Sequence, residues 1–324
     1  MTASAHDLRR AAWSSYWTQG PMHSCIGSFD AGYTGAIGDF WDAQAAAMAP
    51  GARVLDLATG NGALPLRFWE RHGDSIAIDA VDLAALAPRW HRPGTHPRIR
   101  FHQGVAMEAL PFPDASHDRV VSQFGFEYAD GGPALDECLR VLAPGGTLAF
   151  VMHHAGSVLV SVGREELANV ECLLEPGGVL EAAAAVAPWI LRARSGDPGV
   201  ARSAEANRAR EHYNLAMAGL ADKVAASPVP DSLVEARQWI HRVLADAGIR
   251  DAATLEATLA AHRDALRSAA LRTSEMIEHA LDASQVDAMV ERLRHARPSH
   301  ATHAEPIRQQ EGLLGWALVS GPGA

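Results

Sequence analysis

Between residues 52 and 154 the chain alternates short β-type apolar runs with helical stretches. "RVLDLA" is followed by the helical "ALPLRFWERHG", then by "SIAIDAVDL", "RIRFHQG" and "HDRVVSQF", then by the helical "PALDECLRVLAPGG" and finally by "TLAFVMHH". Strands separated by helices close most readily through right-handed crossovers, which build a parallel sheet covered on both faces. A doubly wound α/β domain is therefore expected here.

The flanking segments have a different grain. Residues 1–50 read as a helix at "AHDLRRAAWSSYWTQ", a Gly-rich loop through "GPMHSCIGSFDAGYTGAIG" and a helix at "DFWDAQAAAMAPG". Residues 155–281 are rich in Ala, Arg and Glu. Val234, Ile240, Val243 and Leu244 fall near one helical face, and Leu255, Leu259, Leu266, Ala270 and Ile277 near another. Breakers at "EPGG", "SGDPG" and "SPVPDS" divide this stretch into about four helices. After it come a helix at "ASQVDAMVERLRHA" and two strands, "THAEPIRQQ" and "GLLGWALVS", expected to pair as a hairpin on the edge of the earlier sheet. The helical stretch is thus a large insertion into one domain.

Composition narrows the function. No run approaches the roughly 20 apolar residues of a membrane span, and "GVLEAAAAVAPWIL", interrupted by Glu181 and Pro188, reads as a buried helix. The N-terminus shows no signal-peptide pattern, so a cytoplasmic protein is expected. Cys25, Cys138 and Cys172 are too few and too scattered for a disulfide framework or a zinc cluster. A net charge of −10 disfavours a nucleic-acid partner, and Lys223 is the only lysine, a poor candidate for Schiff-base chemistry.

The site-bearing stretch is "RVLDLATGNG". Its strand delivers Asp56 at the carboxyl end, and Gly60 and Gly62 allow a sharp turn. The dinucleotide pattern G-x-G-x-x-G is incomplete, because Gly60-Asn61-Gly62 is followed by Ala63-Leu64-Pro65. Asp56 is also ill suited to a pyrophosphate. The next strand ends in Asp82, 20 residues beyond Gly62, where a carboxylate can accept both ribose hydroxyls. Asp79, one alternation earlier, is the weaker candidate.

"VLDLATGNG", "AVDLA", "FHQGVAMEALPFPDASHDRVVSQFGFEY" and "ECLRVLAPGGTLAFV", in this order and spacing, resemble the class I S-adenosylmethionine-dependent methyltransferases, most closely small-molecule members of the quinone-biosynthesis type. The resemblance covers roughly residues 40–154 and 283–320. It implies a Rossmann-like, doubly wound, seven-stranded sheet with a C-terminal antiparallel hairpin. The implied division is a lid segment at 1–50, a cofactor-binding core at 51–154 and 282–324, and a helical insertion at 155–281 forming a lid or acceptor-binding subdomain.

The implied cofactor is S-adenosyl-L-methionine, with S-adenosyl-L-homocysteine as product. Asp56 and the backbone of Ala58, Gly60 and Gly62, with Asn61 between them, are expected to cradle its methionine part. Asp82 would bind the ribose, Leu83 would pack on the adenine, and Ala106 and Met107 stand where the family places an acid near the adenine amino group. Ser122, Gln123 and Phe124 would neighbour the cofactor, and Phe126, Glu127 and Tyr128 would face the substrate. Ala58 departs from the family's glycine, and alanine excludes comfortable positive φ.

His153, His154 and His23 are the candidate bases, the first two at the end of the fifth strand and the third in the N-terminal loop. The competing reading turns one of the strand pair into packing and the other to a solvated edge. His300 and His303 point to opposite faces of a strand, so no metal site is expected. Arg192, Arg194, Arg202, Arg208 and Arg210 alternate with Asp197, Glu205 and Glu211 as a solvated face does.

The expected activity is methyl transfer to a small-molecule acceptor at O, N or C. The alternatives are a catalytically silent cofactor-binding or interaction protein and, further off, an NAD-dependent oxidoreductase. A homodimer stands open among the partners, with no nucleic acid and no membrane span.

Overall fold

In a computed structural model, residues 5–24, 32–246, 252–310 and 312–323 are described. The chain divides into two compact units, Met1–Ser161 with Glu275–Ala324, and Val162–Ser274.

The first unit is built on a seven-stranded sheet. Its strands are β1 (Arg53–Leu57), β2 (Ala77–Asp82), β3 (Ile99–Gln103), β4 (His117–Gln123), β5 (Leu142–His153), β6 (His300–Gln309) and β7 (Gly312–Pro322), in the order β3-β2-β1-β4-β5-β7-β6. β1 to β5 pair in parallel, whereas β7 runs antiparallel to both β5 and β6. The expected doubly wound sheet with a reversed hairpin is the observed one. After β3 the chain returns past β1 to place β4, so a crevice opens at the carboxyl ends of β1 and β4.

Side-chain alternation sorts the core into two layers. Val54, Ile78, Val121, Ala149 and Val151 face α2 (Gly35–Ala46) and α3 (Ala63–His72), where Trp41 and Phe68 are fully buried. Leu55, Leu57, Val120, Leu148, Phe150 and Met152 face α4 (Gly131–Val141) and α10 (Ala283–Ala296), together with Cys138 and Leu293. The remaining helix of this unit's N-terminal part, α1 (Ala5–Thr18), belongs to the site described below.

α10 occupies the expected "ASQVDAMVERLRHA" because Asp282 and Gln285 form a reciprocal capping box at its start. "LAPGG" corrects an expectation. The sequence pattern predicts it as the end of a helix, but α4 stops at Val141 and Leu142 already has extended geometry at the head of β5. Pro144 cannot continue a helix, and Gly146 passes so close to the Asp118 carbonyl that a Cβ would lie 2.9 Å from it.

The second unit holds most of α5 (Val158–Leu174), all of α6 (Val179–Arg194), α7 (Ala204–Ala226) and α8 (Asp231–Ala245), and most of α9 (Ala252–His279). Among the described residues these are five α-helices, where about four are expected. Its core gathers Leu173, Leu180, Val186, Leu220, Leu233, Ile240, Leu255 and Leu259. On α8 the buried face is centred on Leu233, Ala236 and Ile240, with Val234 only half-buried. Among the described residues no helix is long and apolar enough to cross a membrane. Cys172 is half-buried here, and Cys25 lies outside the described residues.

Phe150 is fully buried and stacks on Phe126 with ring centroids 4.5 Å apart. Phe150→Ala is expected to lower stability by about 3–5 kcal/mol, read as a reduced denaturant midpoint of the transition that reports on the sheet.

Candidate functional site

The crevice at the strand ends is a partly open pocket that encloses about 1000 Å³ of empty space, open solvent included. Its floor comes from the turns after β1, β2, β3 and β4, and its cover from α1 and the segment that follows.

The turn after β1 carries most of the electrostatics. Ala58 sits at φ 49°, in the left-handed region, despite its Cβ. Such a residue carries strain of about 1–2 kcal/mol. Gly125 makes room for the methyl group, since a Cβ there would lie 2.4 Å from that of Ala58. The first departure from the family's glycine is thus matched by a glycine on the facing loop. Asp56 is 2% exposed, and one carboxylate oxygen accepts the Thr59 hydroxyl at 2.5 Å. Burial pushes its pKa up to about 8, against the Thr59 hydrogen bond and with help from the nearby Asp82.

Asp82 is held on both oxygens. The Gly60 N–H donates to Oδ2 at 2.9 Å and the Ala84 N–H to Oδ1 at 2.8 Å. Burial raises its pKa to about 6, and the N–H donors of Ala84, Gly60 and Leu83 limit the rise. Leu83, Ala84, Val105, Ala106 and Met107 continue the floor beside it. Asp79, by contrast, is bonded to His102 at 2.7 Å and lies 3.4 Å from His117, and it does not line this pocket.

Three residues expected to cradle the ligand do other work. The Gly60 amide is taken by Asp82, and a Cβ on Gly60 would lie 2.6 Å from the Trp17 ring. The Gly62 amide bonds the Thr59 carbonyl, and its missing side chain leaves room for Phe101 and Trp90. Asn61 is a clamp. Its amide nitrogen donates to the carbonyls of Trp17 at 2.8 Å and Pro21 at 2.7 Å, and its amide oxygen accepts the Ala87 N–H at 2.9 Å. Of the turn, Ala58 and Thr59 line the pocket.

The cover is aromatic. Trp13 and Trp17, one helical turn apart on α1, stack at 5.8 Å, and both line the pocket. The Tyr16 hydroxyl donates to the His23 carbonyl at 2.9 Å. His23 lines the pocket and stacks on Tyr33 at 4.7 Å. Arg9, also in the lining, joins α1 to the rest of the unit. Its guanidinium reaches Glu275 at 2.6 Å, the Tyr128 carbonyl at 2.9 Å and His279 Nε2 at 3.0 Å. The lid expected over residues 1–50 carries Trp13 and Trp17 at the spacing visible in "AAWSSYW", residues that, like Thr59, the sequence reading does not single out.

The far wall is formed by Gln123, Phe124, Gly125 and Tyr128. Trp41 Nε1–H donates to the Gln123 side-chain oxygen, which leaves the buried Gln123 Nε2 without a partner among the described residues. Phe124 holds φ 51° with its N–H on the Val151 carbonyl.

Of the residues expected at the ends of β4 and β5, Ser122, Phe126, Glu127, His153 and His154 do not line the pocket; the Ser122 hydroxyl is buried and donates to the Leu57 carbonyl. Phe126 is in the core against Phe150. Glu127 is buried behind the wall and bonded to His153, whose ring lies flat on Phe124 at 4.1 Å. His154 stacks on Trp316 at 4.5 Å, its Nδ1 accepting the Gly156 N–H, and burial lowers its pKa. Tyr128 and His23 are the substrate and base candidates that line the pocket. Among the described residues there is no group of three or more His, Cys, Asp or Glu placed to hold a metal ion. Arg192 pairs with Asp197 and Arg208 with Glu205 on exposed helical surface.

Residues 55–150 match a family described as a methyltransferase domain. The chain is 43% identical over 103 residues to a demethylmenaquinone methyltransferase of Thermus thermophilus, covering 31% of this chain and 46% of the relative. It is 40% identical over 116 residues to a protein of the same description from Deinococcus radiodurans, covering 34% and 46%. It is 40% identical over 102 residues to a ubiquinone/menaquinone biosynthesis C-methyltransferase of Geobacter sulfurreducens, covering 30% and 40%. Each match spans less than half of the relative's length.

The two raised carboxylates make stability depend on pH. The folded state binds their protons more tightly than the unfolded chain does. Their contribution is fully present below about pH 4 and is lost as pH rises through about 6 for Asp82 and about 8 for Asp56. The thermal midpoint of the ligand-free protein is therefore expected to fall between pH 5 and about 8.5, and Asp56→Asn should flatten the upper part of that fall in a melting series across pH.

Proposed function

We propose that this chain, which belongs to the class I S-adenosylmethionine-dependent methyltransferases through its residues 55–150, moves a methyl group from that cofactor to a small-molecule acceptor. The observation that carries the reading is the pair of buried carboxylates, Asp56 and Asp82, at the ends of adjacent strands in a pocket with an apolar floor.

The residues present fit the group. Asp82 keeps lone pairs for two ribose hydroxyls, and the backbone N–H bonds on each oxygen fix its plane. Leu83, Ala84, Ala106 and Met107 offer packing for the adenine. Asp56, when ionised, suits the ammonium of the amino-acid end, and the unpartnered Gln123 Nε2 is a donor for an oxygen of the ligand. A dinucleotide fits less well. The amides of Gly60 and Gly62 are already engaged, so the turn presents two carboxylates and no free nest for a pyrophosphate.

When bound, the cofactor supplies a methyl group on a positively charged sulfur, an electrophile with a good leaving group. The protein's own tasks are alignment and exclusion of water. Trp13, Trp17 and Tyr128 serve the second task by presenting ring faces and edges to the pocket. The choice of acceptor is assigned to pocket-lining residues outside the family match, among them Trp13, His23 and Tyr33. Relatives named above are described as a demethylmenaquinone methyltransferase and a ubiquinone/menaquinone biosynthesis C-methyltransferase, and an acceptor of that kind is one member of the class proposed here.

Titration calorimetry is expected to show S-adenosylhomocysteine binding and no NAD binding. Asp82→Ala should weaken S-adenosylhomocysteine at least about 100-fold, the loss of two hydrogen bonds to a charged group. Tight NAD binding would replace the reading. Labelled methyl donor in a metabolite extract should yield a labelled small product; its absence favours a silent binder.

A further inference from the structure

Asp56 and Asp82 stand on neighbouring strands and on one face of the sheet. Asp56 is paired in register with Ala80, and Asp82 lies two residues further along β2, which puts their backbones about 8 Å apart by strand spacing and rise. Both carboxyl groups are almost shut off from water, and both line the pocket. They are held very differently. Asp82 receives a backbone N–H on each oxygen, from Gly60 and Ala84. Asp56 receives the Thr59 hydroxyl on Oδ2 at 2.5 Å, and its Oδ1 has no hydrogen-bond partner among the described residues.

Two negative charges this close and this dry oppose each other, and the group with fewer donors is the one that keeps a proton. The other titratable groups of the lining are His6, Arg9 and Arg10 from α1, His23 and Tyr33 from the segment after it, Glu108 after β3 and Tyr128 after β4. Arg9 is engaged by Glu275 and Arg10 by Asp7. Burial raises the Asp56 pKa to about 8, and the one charge that acts on it, that of Asp82, adds to the effect. At pH 7 the ligand-free site therefore holds a negative charge on Asp82, whose pKa is about 6, and a proton on Asp56.

We propose that the site takes its ligand by exchange: the ammonium of the ligand's amino-acid end replaces a proton on Asp56, so that this end of the ligand, and not its nucleoside, makes binding depend on pH. This rests on the methyltransferase reading and adds a requirement on the ligand, an ammonium within reach of Asp56. The O–H bond of Asp56 breaks, its electron pair stays on the carboxylate and the proton leaves to solvent. The ammonium keeps its own protons and donates to Oδ1. Thr59 steadies the anion, since its hydroxyl already donates to Oδ2. Asp82 needs no exchange, because ribose hydroxyls are neutral. The competing role for Asp56 is to pin the turn through Thr59, with one protonation state in the empty and the filled site.

Titration calorimetry at pH 7 in buffers of different ionisation enthalpy counts the protons released. S-adenosylhomocysteine is expected to release about one proton on binding, and adenosine, which lacks the amino-acid end, close to none. The affinity for S-adenosylhomocysteine should rise about tenfold from about pH 6.5 to 7.5 and level off above about pH 8. Asp56→Asn keeps an oxygen for the Thr59 hydroxyl and cannot titrate, so it separates the two roles. It should bind S-adenosylhomocysteine more weakly, with the proton release gone and the affinity nearly flat over that range. Thr59→Val should move the levelling to higher pH by about one unit, and Thr59→Ser should leave it in place. Where Asp56→Asn folds poorly, S-adenosylhomocysteine against adenosine on the wild type decides alone. No proton release by the wild type, equal release by Asp56→Asn, or equal release with adenosine overturns the proposal. Failure of the wild type to bind S-adenosylhomocysteine overturns the reading beneath it, and the proposal with it.

Discussion

The site depends on the grip of the Asp82 carboxylate on the Gly60 N–H. That bond joins the end of β2 to the turn after β1, and the Ala84 N–H holds the other oxygen. It fixes the turn in the shape that puts Ala58 at positive φ, Asp56 at the pocket floor and Trp17 over Gly60. A carboxylate buried this deeply would ordinarily be a liability. Here it is offset by backbone donors, and the cost that remains is stored until a ligand with hydroxyl or cationic groups arrives.

The same economy recurs behind the far wall. Asp56, Asp82 and Glu127 are all nearly excluded from water, and all lie at carboxyl ends of strands or the loops that follow. None contributes to the two apolar layers that hold the sheet together. The fold thus separates its labour by depth along the strands. The middle of each strand supplies β-branched, leucine and phenylalanine side chains to the helices, and the ends supply groups that are unfavourable in a folded chain and useful to a ligand.

The sheet was legible because alternation along each strand is a local property. Leu55 and Leu57 against Val54, or Leu148 and Phe150 against Ala149, reveal both faces from the sequence alone. Asp56 and Asp82 were legible for a related reason, as acids at the end of apolar runs. The turn between them was not. Asn61 and Gly62 sit within the expected motif, yet where their groups point depends on the positive φ values of Ala58, Gly60 and Gly62, which spacing does not encode. "LAPGG" was misread because the helical period before it runs up to Val141 without a visible stop except Pro144. Glu127 was placed at the substrate because it follows a strand end; its inward turn onto His153 is a tertiary event.

Asn61 commits its side-chain amide to Trp17, Pro21 and Ala87. Its partners lie on both sides of the glycine turn in sequence, and two of them precede the first residue of the family match. The module that is recognisable by descent is therefore smaller than the module that is mechanically whole. The N-terminal helix is part of the wall of the turn, and the evolutionary boundary at residue 55 cuts through hydrogen bonds that the folded site uses.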